Sequence, residues 1–458
     1  MTFFSKKIMM TSLALAVLSL AACTVQDKNI KAPAASNAES KVLNIQEWQT
    51  KNGARVLYVY APGLPMLDMN IVVDAGSIRD GKQPGIANVS NGLLSHGAKL
   101  NNHNLSVNDI SERFDSVGAN FGVSTSKDYM TLSLRSLTDE KWLYKATETL
   151  KAIINAPTFK NSELLRIRKV LLTGIEAQKQ SPSAIASKLF YKNLYGLHPY
   201  ANQTVGTAAS LKKITRKDLR AFYKKHFVAR NTLVTIVGDI NKTKAAALAE
   251  RMVGRLAVGK KAPALAQVKD LAKAVSIHQE YPSSQTHITM GHPGLHRKDK
   301  DYITLYVANH ILGGSGFGSR IMQEIREKRG LAYSSYSYFV PMLRRGPFTI
   351  GMQTSNKNTQ EAKTVLLQTL KTFISEGPTE KELLHAQKNI TGGFPLKVDS
   401  NSDISNYLSV IGFYHLPLTY LSDFNKKVNA VTVAKIKETI KRRMHPDKMV
   451  MVTVGTTK

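Results

Sequence analysis

The spacing of apolar residues along the chain predicts alternating strands and helices. The apolar run at residues 71–73 and the mostly apolar run at 233–237 are typical of buried strands, and Asn52-Gly53 between two alternating runs indicates a hairpin turn. One apolar helix face is predicted from Trp142, Ala146, Leu150 and Ile153/Ile154. Elements in this order predict an α+β fold in which antiparallel-rich sheets are covered by helices.

The same pattern occurs twice, because positions with the same role lie 217 residues apart. They are Ile71 and Ile288 in a strand, Ser162 and Thr379 at a helix start, and Thr215 and Thr432 ahead of an amphipathic helix. We therefore predict two homologous halves, at residues 42–254 and 274–458. A linker rich in Gly, Ala, Pro and Lys, at residues 255–273, joins them.

The first 41 residues have the composition of an export signal and a tether. Residues 1–22 contain a basic start and an apolar stretch too short to span a bilayer, which predicts a signal peptide. Residues 20–23 resemble a bacterial lipobox, so we expect Cys23 to be acylated and residues 23–41 to form a polar tether. Because Thr24 stands where an aspartate would favour the inner membrane, we expect a cell-envelope lipoprotein on the periplasmic face of the outer membrane.

Net charge and cysteine content narrow the choice of partners. The formal charge of +30 favours anionic surfaces and acidic partners, but the lysines are scattered and form no basic-aromatic platform. We therefore expect no nucleic-acid partner. Cys23 is the chain's one cysteine, which excludes internal disulfides and thiolate metal sites.

A strand followed by a helix gives the strongest functional signal. The strand at residues 71–73 and its turn precede a helix-like segment at 85–94 that contains Asn88, Asn91 and Gly92. This arrangement resembles the pitrilysin/insulinase family of zinc peptidases, the inverzincins, whose motif H-x-x-E-H lies on such a helix. The resemblance covers both halves and implies the family's half-clamshell fold.

The residues at the motif positions cannot provide the family's chemistry. Asn88 and Gly92 replace the two histidine ligands, and Asn91 replaces the glutamate that acts as general base. In the family a third ligand, a glutamate, comes from a later helix, here near Thr173-Gly174 on a predicted helix from about 162 to 180. An amide is a poor zinc ligand and cannot act as a base. We therefore expect no metal and no other cofactor in this chain.

A glycine-rich segment in the second half retains features that the family uses. Residues 312–320 include Gly313, Gly314 and Gly316, and their spacing fits neither nucleotide-binding pattern. The resemblance implies that these glycines, Arg326 and Tyr333 contact a peptide substrate and its developing oxyanion. The alternative is an arginine in a surface ion pair and a tyrosine in the core.

The histidines do not form a second metal-site pattern. His292 and His296 flank Pro293-Gly294 and cannot share one helix face, and His96 has no accompanying ligands. His198 precedes a proline and is expected to pack or to cap a helix.

Three functional hypotheses remain open at this point. The resemblance implies a non-catalytic subunit of a heteromeric peptidase, whose partner carries an intact H-x-x-E-H motif and the zinc. A second hypothesis is a lipid-anchored scaffold that binds peptides or proteins without any role in proteolysis. The third and weakest is an active peptidase with unfamiliar zinc ligands.

Overall fold

The computed structural model describes residues 43–456, which contain two mixed sheets and their covering helices. The strands are β1 Gln46–Gln49, β2 Arg55–Tyr60, β3 Met66–Val73, β4 Ala98–Leu100, β5 His103–Leu105, β6 Asn120–Thr125, β7 Met130–Leu137, β8 Thr232–Gly238, β9 Val275–Glu280, β10 Gln285–Pro293, β11 Ala332–Phe339, β12 Pro347–Ser355 and β13 Val450–Gly455.

The α-helices lie mainly between the strands of each half. They are α1 Ile86–Leu94, α2 Val107–Asp115, α3 Glu140–Asn155, α4 Asn161–Gln178, α5 Pro182–Tyr195, α6 Ala208–Lys213, α7 Arg216–His226, α8 Lys242–Val253, α9 Tyr302–Asn309, α10 Arg320–Met322, α11 Thr359–Glu376, α12 Glu380–Gly393, α13 Asn401–Phe413, α14 Phe424–Asn429 and α15 Val433–Arg443. Two π-helical turns, His310–Gly314 and Gln323–Glu327, adjoin α9 and α10.

Both sheets are mostly antiparallel, as the sequence predicts. The first has the order β1-β2-β8-β3-β7-β6 and the second β11-β12-β10-β13-β9. Each contains a single parallel pair, β2 with β8 and β9 with β13. The small two-stranded sheet β4-β5 lies apart from both.

The two sheets are covered by helices from both halves. One face of the first sheet packs on helices of its own half, while Leu57, Val59 and Leu233 on the other face join the core of the second half. Helix α13 lies against β8 and β3, and α5 of the first half lies against β13 and β10 of the second. Each half therefore lends one helix to the sheet of the other.

The structure confirms the duplication. Helices α7 and α15 begin 217 residues apart and also end 217 residues apart. The predicted hairpin at Asn52-Gly53 joins β1 to β2, with Gly53 at φ 92°. The Thr379–Glu382 capping box is present at the start of α12. The predicted linker falls between the end of α8 at Val253 and the start of β9 at Val275.

A buried carboxylate joins the two halves. Asp128 follows β6, is almost fully buried, and accepts hydrogen bonds from the Tyr200 hydroxyl (2.7 Å), the Tyr414 hydroxyl (2.8 Å) and the Leu343 amide (2.8 Å). Burial raises its pKa. Because Tyr414 and Leu343 belong to the second half, this one side chain ties the halves together.

The predicted signal peptide, lipidated Cys23 and tether lie outside the described residues. Within residues 43–456, no helix combines the length and apolarity that crossing a bilayer requires.

Candidate functional site

The degenerate zinc motif lies on helix α1. The side chain of Asn91, which replaces the general base, faces inward. Asn91 is 1% exposed, and its Nδ2 donates to the Ser124 carbonyl oxygen (2.6 Å) and to Thr125 Oγ1 (3.0 Å) on β6. Its Oδ1 is buried and accepts no hydrogen bond from the described part of the protein. Asn91 therefore fastens α1 to the edge of the first sheet.

The other motif positions provide no ligand. Asn88 is half-buried, and Gly92, which has no side chain, lies where a Cβ would come 3.6 Å from Ile167 Cδ1 of α4. The Gly92 carbonyl oxygen accepts from Ser95 Oγ (2.9 Å) and from Nδ1 of His96 (2.6 Å). His96 thus closes the end of α1, and burial lowers its pKa.

Helix α4 also lacks a residue that fits zinc at the predicted place. Thr173 and Gly174 are exposed, and Thr173 Oγ1 donates to the Lys169 carbonyl oxygen (3.1 Å). Glu176 points to solvent and pairs with Lys179 (2.7 Å). Among residues 43–456, no three His, Cys, Asp or Glu side chains converge as a metal site would require. The residues of this helix pair do not fit a zinc ion.

The remaining histidines have structural environments. His198 accepts from the Tyr200 amide (3.2 Å) at the start of a short helical turn, in line with the predicted capping role. His292 is buried on β10 beside Phe348, and burial lowers its pKa to about 4. His296 lies beyond the strand, in a bridge to Met342.

The second half brings Arg326 and Tyr333 together. Arg326 is on the π-helical turn Gln323–Glu327, and Tyr333 is near the start of β11, after Gly330 has reversed the chain at φ 61°. The guanidinium carbon lies 4.4 Å from the centre of the Tyr333 ring, and Nη1 donates to the Tyr333 carbonyl oxygen (3.3 Å). The predicted pair is therefore one cluster.

Neither residue matches the alternative hypothesis of an arginine in a surface ion pair and a tyrosine in the core. Tyr333 is 80% exposed and does not belong to the core. Glu324, the nearest acid in the turn, is taken by Lys328 (2.5 Å) and Arg329 (2.6 Å). In the described part of the chain, Arg326 makes no salt bridge with a carboxylate. Its guanidinium is held by aromatic rings and retains donors for a ligand.

Phe317, which the sequence pattern did not single out, completes the cluster. It lies in the short helical turn Gly316–Gly318, and its ring centre is 4.5 Å from the Arg326 guanidinium carbon. The glycine-rich segment thus positions the arginine through this ring. The sequence feature that could have identified Phe317 is a large apolar residue within a run of glycines.

The three predicted substrate-binding glycines have different environments. Gly313 is buried where a Cβ would lie 2.4 Å from Ser337 Oγ, so it permits close packing on β11. Gly314 is exposed beside Asn309, and Gly316 adopts φ 68° with open space around it. Substrate contact stays a prediction for all three glycines, of which Gly313 is the buried one.

Comparison with known proteins supplies an independent family assignment. Residues 55–208 match the model of the insulinase family (peptidase family M16), and residues 213–390 match that of the peptidase M16 inactive domain. Among solved structures, a peptidase M16 inactive domain from Pseudomonas fluorescens is 39% identical, covers 91% of this chain and 98% of its own, and superposes with a TM-score of 0.87.

Two curated relatives extend over most of the chain. An uncharacterized zinc protease, YmxG, of Bacillus subtilis is 27% identical, covering 79% of this chain and 86% of its own length. A non-peptidase homolog, also called YmxG, of Helicobacter pylori is 26% identical, covering 90% and 94%. The two halves agree with the two matched family domains, and the degenerate motif agrees with the descriptions inactive domain and non-peptidase homolog, whereas the Bacillus subtilis relative is named a zinc protease.

Proposed function

The chain belongs to the M16 (insulinase) peptidase family, and we propose that it is a non-catalytic, substrate-binding subunit of a heteromeric zinc peptidase in the bacterial cell envelope. The partner we propose is a second family member with an intact H-x-x-E-H motif and the zinc. This chain would contribute the facing wall of the chamber and bind the peptide substrate.

One contrast carries the proposal. The positions that hold zinc and activate water in the family are occupied by Asn88, Asn91 and Gly92, of which Asn91 is tied to β6. Arg326 and Tyr333, in contrast, are held together at the surface with free donors. The zinc-binding positions are lost, while the arginine and tyrosine of the substrate-binding pair are present. This combination supports a subunit that binds substrate without cleaving it.

The chemistry assigned to this chain is hydrogen-bond donation to a peptide carbonyl. The partner's zinc would supply the activated water. The Arg326 guanidinium and the Tyr333 hydroxyl would donate to the scissile-region carbonyl oxygen and stabilise the charge that develops on it. Contact with Phe317 and Tyr333 fixes the guanidinium before the substrate arrives, which lowers the entropic cost of binding.

Kinetics of a reconstituted complex test this function. With a zinc-bearing family member as partner, Arg326→Ala or Tyr333→Phe should lower kcat/KM about tenfold to a thousandfold, the range for losing one oxyanion donor. Arg329→Ala is the matched control, because Arg329 lies three residues away in an ion pair with Glu324 and should leave activity unchanged. Size-exclusion chromatography on the same samples should show intact association.

Three results would contradict the proposal. Full activity of both variants would leave Arg326 and Tyr333 as structural residues. Failure of the chain to associate with any zinc-bearing family member of its own cell would favour the scaffold hypothesis. Stoichiometric zinc and chelator-sensitive cleavage by the chain alone would restore the hypothesis of an active peptidase.

The envelope location is part of the proposal and rests on Cys23 and the segment before it. Cys23→Ser should release the protein from membranes, because one acyl-bearing terminus would provide the anchor. Fractionation of expressing cells at high salt gives the measurement. A variant that stays with the membrane under these conditions excludes the lipobox interpretation.

A further inference from the structure

Strand β11 displays three tyrosines on one exposed face. Its burial pattern places Ala332, Ser335 and Ser337 toward the helices of the second half. Tyr336 and Tyr338 lie on the opposite side, 46% and 42% exposed, and a β-bulge between Ala332 and Ser335 turns Tyr333, which is 80% exposed, outward as well. We call these three residues the tyrosine face. Exposed aromatic rings in a row are costly in water and are common where a protein binds a partner.

A glycine on the neighbouring strand makes this face flat. Tyr336 pairs with Gly351 of β12, and its ring lies so close that a Cβ on Gly351 would be 2.7 Å from the hydroxyl oxygen and 2.8 Å from Cζ. The Tyr336 ring therefore lies across the β12 backbone. Tyr338 stacks beside it, with ring centres 5.7 Å apart and planes at 18°. The two rings form a continuous apolar floor.

Arg326 stands at one end of this floor. It contacts the ring of Tyr333, which belongs to the same strand and the same face. A ligand on the floor would therefore meet the free guanidinium donors of Arg326 at the Tyr333 end. Elsewhere, Lys127 lies 4.6 Å from the ring centre of Tyr191 on α5, and its ammonium group donates to the carbonyl oxygens of Tyr200 (3.0 Å) and Asn202 (2.7 Å).

The outer edge of β11 is closed to strand addition. The Ser335 amide donates to Met322 Sδ (3.4 Å), and Asn309 Nδ2 donates to the Ser337 carbonyl oxygen (2.9 Å). Arg326 Nη1 also donates to the Tyr333 carbonyl oxygen, so this acceptor already has a hydrogen-bond partner. A peptide, or the edge of a second copy, cannot pair along this strand, so a ligand has to lie on the side-chain face.

We infer that the tyrosine face binds an extended segment of the peptide substrate and selects an aromatic or large apolar side chain near the bond that Arg326 and Tyr333 hold. This inference rests on the proposed function and deepens it. The occupant is a peptide because the site pairs an apolar floor with guanidinium donors that lack a carboxylate, which matches a side chain next to a backbone carbonyl. Tyr336 and Tyr338 are then specificity-determining residues.

Direct binding to the purified full chain tests the inference without a partner. The probes are two fluorescent peptides of equal length and charge, one with phenylalanine and one with alanine at the central position. Fluorescence anisotropy should give a Kd about threefold to tenfold lower for the phenylalanine peptide, the range for one aromatic contact. Tyr336→Ala and Tyr338→Ala should each remove most of this preference.

Three further variants separate the floor from general effects. Tyr338→Phe should keep the preference, because the ring remains. Gly351→Ala should weaken it while both tyrosines are still present, since the new methyl group displaces the Tyr336 ring. Tyr144→Ala is the matched control, because this tyrosine is 60% exposed on α3 of the first half and packs on Arg251. It should change neither Kd.

Equal affinity for the two peptides, or a preference that survives both alanine variants, overturns the inference. Binding to anionic vesicles that depends on Tyr336 and Tyr338, without peptide selectivity, would assign the face to a membrane and overturn it too. In a reconstituted complex the two proposals fail separately. Arg326→Ala should slow cleavage of both peptides equally, whereas Tyr336→Ala should change the ratio of their kcat/KM values.

Discussion

Asn91 has a structural role at the position where the family has a catalytic residue. In the family this position carries the general base, but here the amide donates twice to β6 from a site that water does not reach. A carboxylate in the same place would face the Ser124 carbonyl oxygen and could not donate to it. Asparagine at this position therefore stabilises the packing of α1 on β6 and provides no catalytic base.

Asn91→Ala should lower the free energy of unfolding by about 1–3 kcal/mol, because the Ser124 carbonyl and the Thr125 hydroxyl lose a buried donor. Asn91→Glu should cost at least as much and should not create zinc binding. Asn88→Ala on the same helix is the control, with a small effect expected from its half-buried position. Urea denaturation measures all three, and equal stability of Asn91→Ala and the native chain would contradict this account.

The sequence predicted which residues occupy the motif but not their contacts. Asn88, Asn91, Gly92, Arg326 and Tyr333 are identified by spacing along single elements, which the sequence shows directly. The floor of Tyr336 and Tyr338 depends on the register that places Gly351 opposite Tyr336. Register between strands is a property of the folded sheet, so these residues were not predicted.

Helix α1 depends on a carboxylate that precedes it. Asp80 is buried and accepts from the Gly85 amide (2.7 Å) and the Ala87 amide (2.9 Å), which satisfies two free donors of the first turn. Burial raises the Asp80 pKa to about 7, against the lowering effect of these two bonds and of Lys127. The start of the degenerate helix thus carries a group that titrates near neutrality.

Asp80 should make stability depend on pH in a defined direction. The folded chain takes up the proton near pH 7, and the unfolded chain only near pH 4. The contribution of this group is therefore full below about pH 4 and is lost as the pH rises to 7. Asp80→Asn, which cannot titrate, should show a flatter profile of unfolding free energy between pH 4 and 7. Parallel profiles would exclude Asp80 as the source.

Elements were predicted more closely than their internal geometry. Helix α4 spans Asn161–Gln178 against a predicted 162–180. The π-helical turn that carries Arg326 was not predicted. Its Lys328 amide donates to the Gln323 carbonyl oxygen, five residues back, and apolar spacing does not distinguish this bond from an ordinary helical one.

For the whole molecule, Asp128 is one buried link between the halves, beside the exchanged helices α5 and α13. Asp128→Ala should destabilise the protein by about 2–5 kcal/mol, because three buried donors lose their acceptor. Because α5 and α13 still pack on the sheets of the opposite halves, the two halves should continue to unfold together. Asp399→Ala, at an exposed position of the second half, is the matched control.

Two optical probes test whether the halves unfold together. Both tryptophans, Trp48 and Trp142, belong to the first half, so their fluorescence reports that half alone, while far-UV circular dichroism reports both. The two transitions should coincide in the native chain and in Asp128→Ala, with a lower midpoint in the variant. An unchanged midpoint would exclude a stabilising role of Asp128, and diverging transitions would show that this side chain is what couples the halves.

The exchange of α5 and α13 bears on how the protein tolerates being cut. A protease that nicks the exposed segment between α8 and β9 would leave each fragment holding a helix that the other fragment's sheet requires. The nicked pieces should stay together as a non-covalent pair and keep the native fold. A fragment made alone would instead expose Leu57 and Leu233, or Val450 and Val452, to water and should aggregate. The two halves therefore resemble the two subunits of a dimer with exchanged helices, joined here in one polypeptide chain.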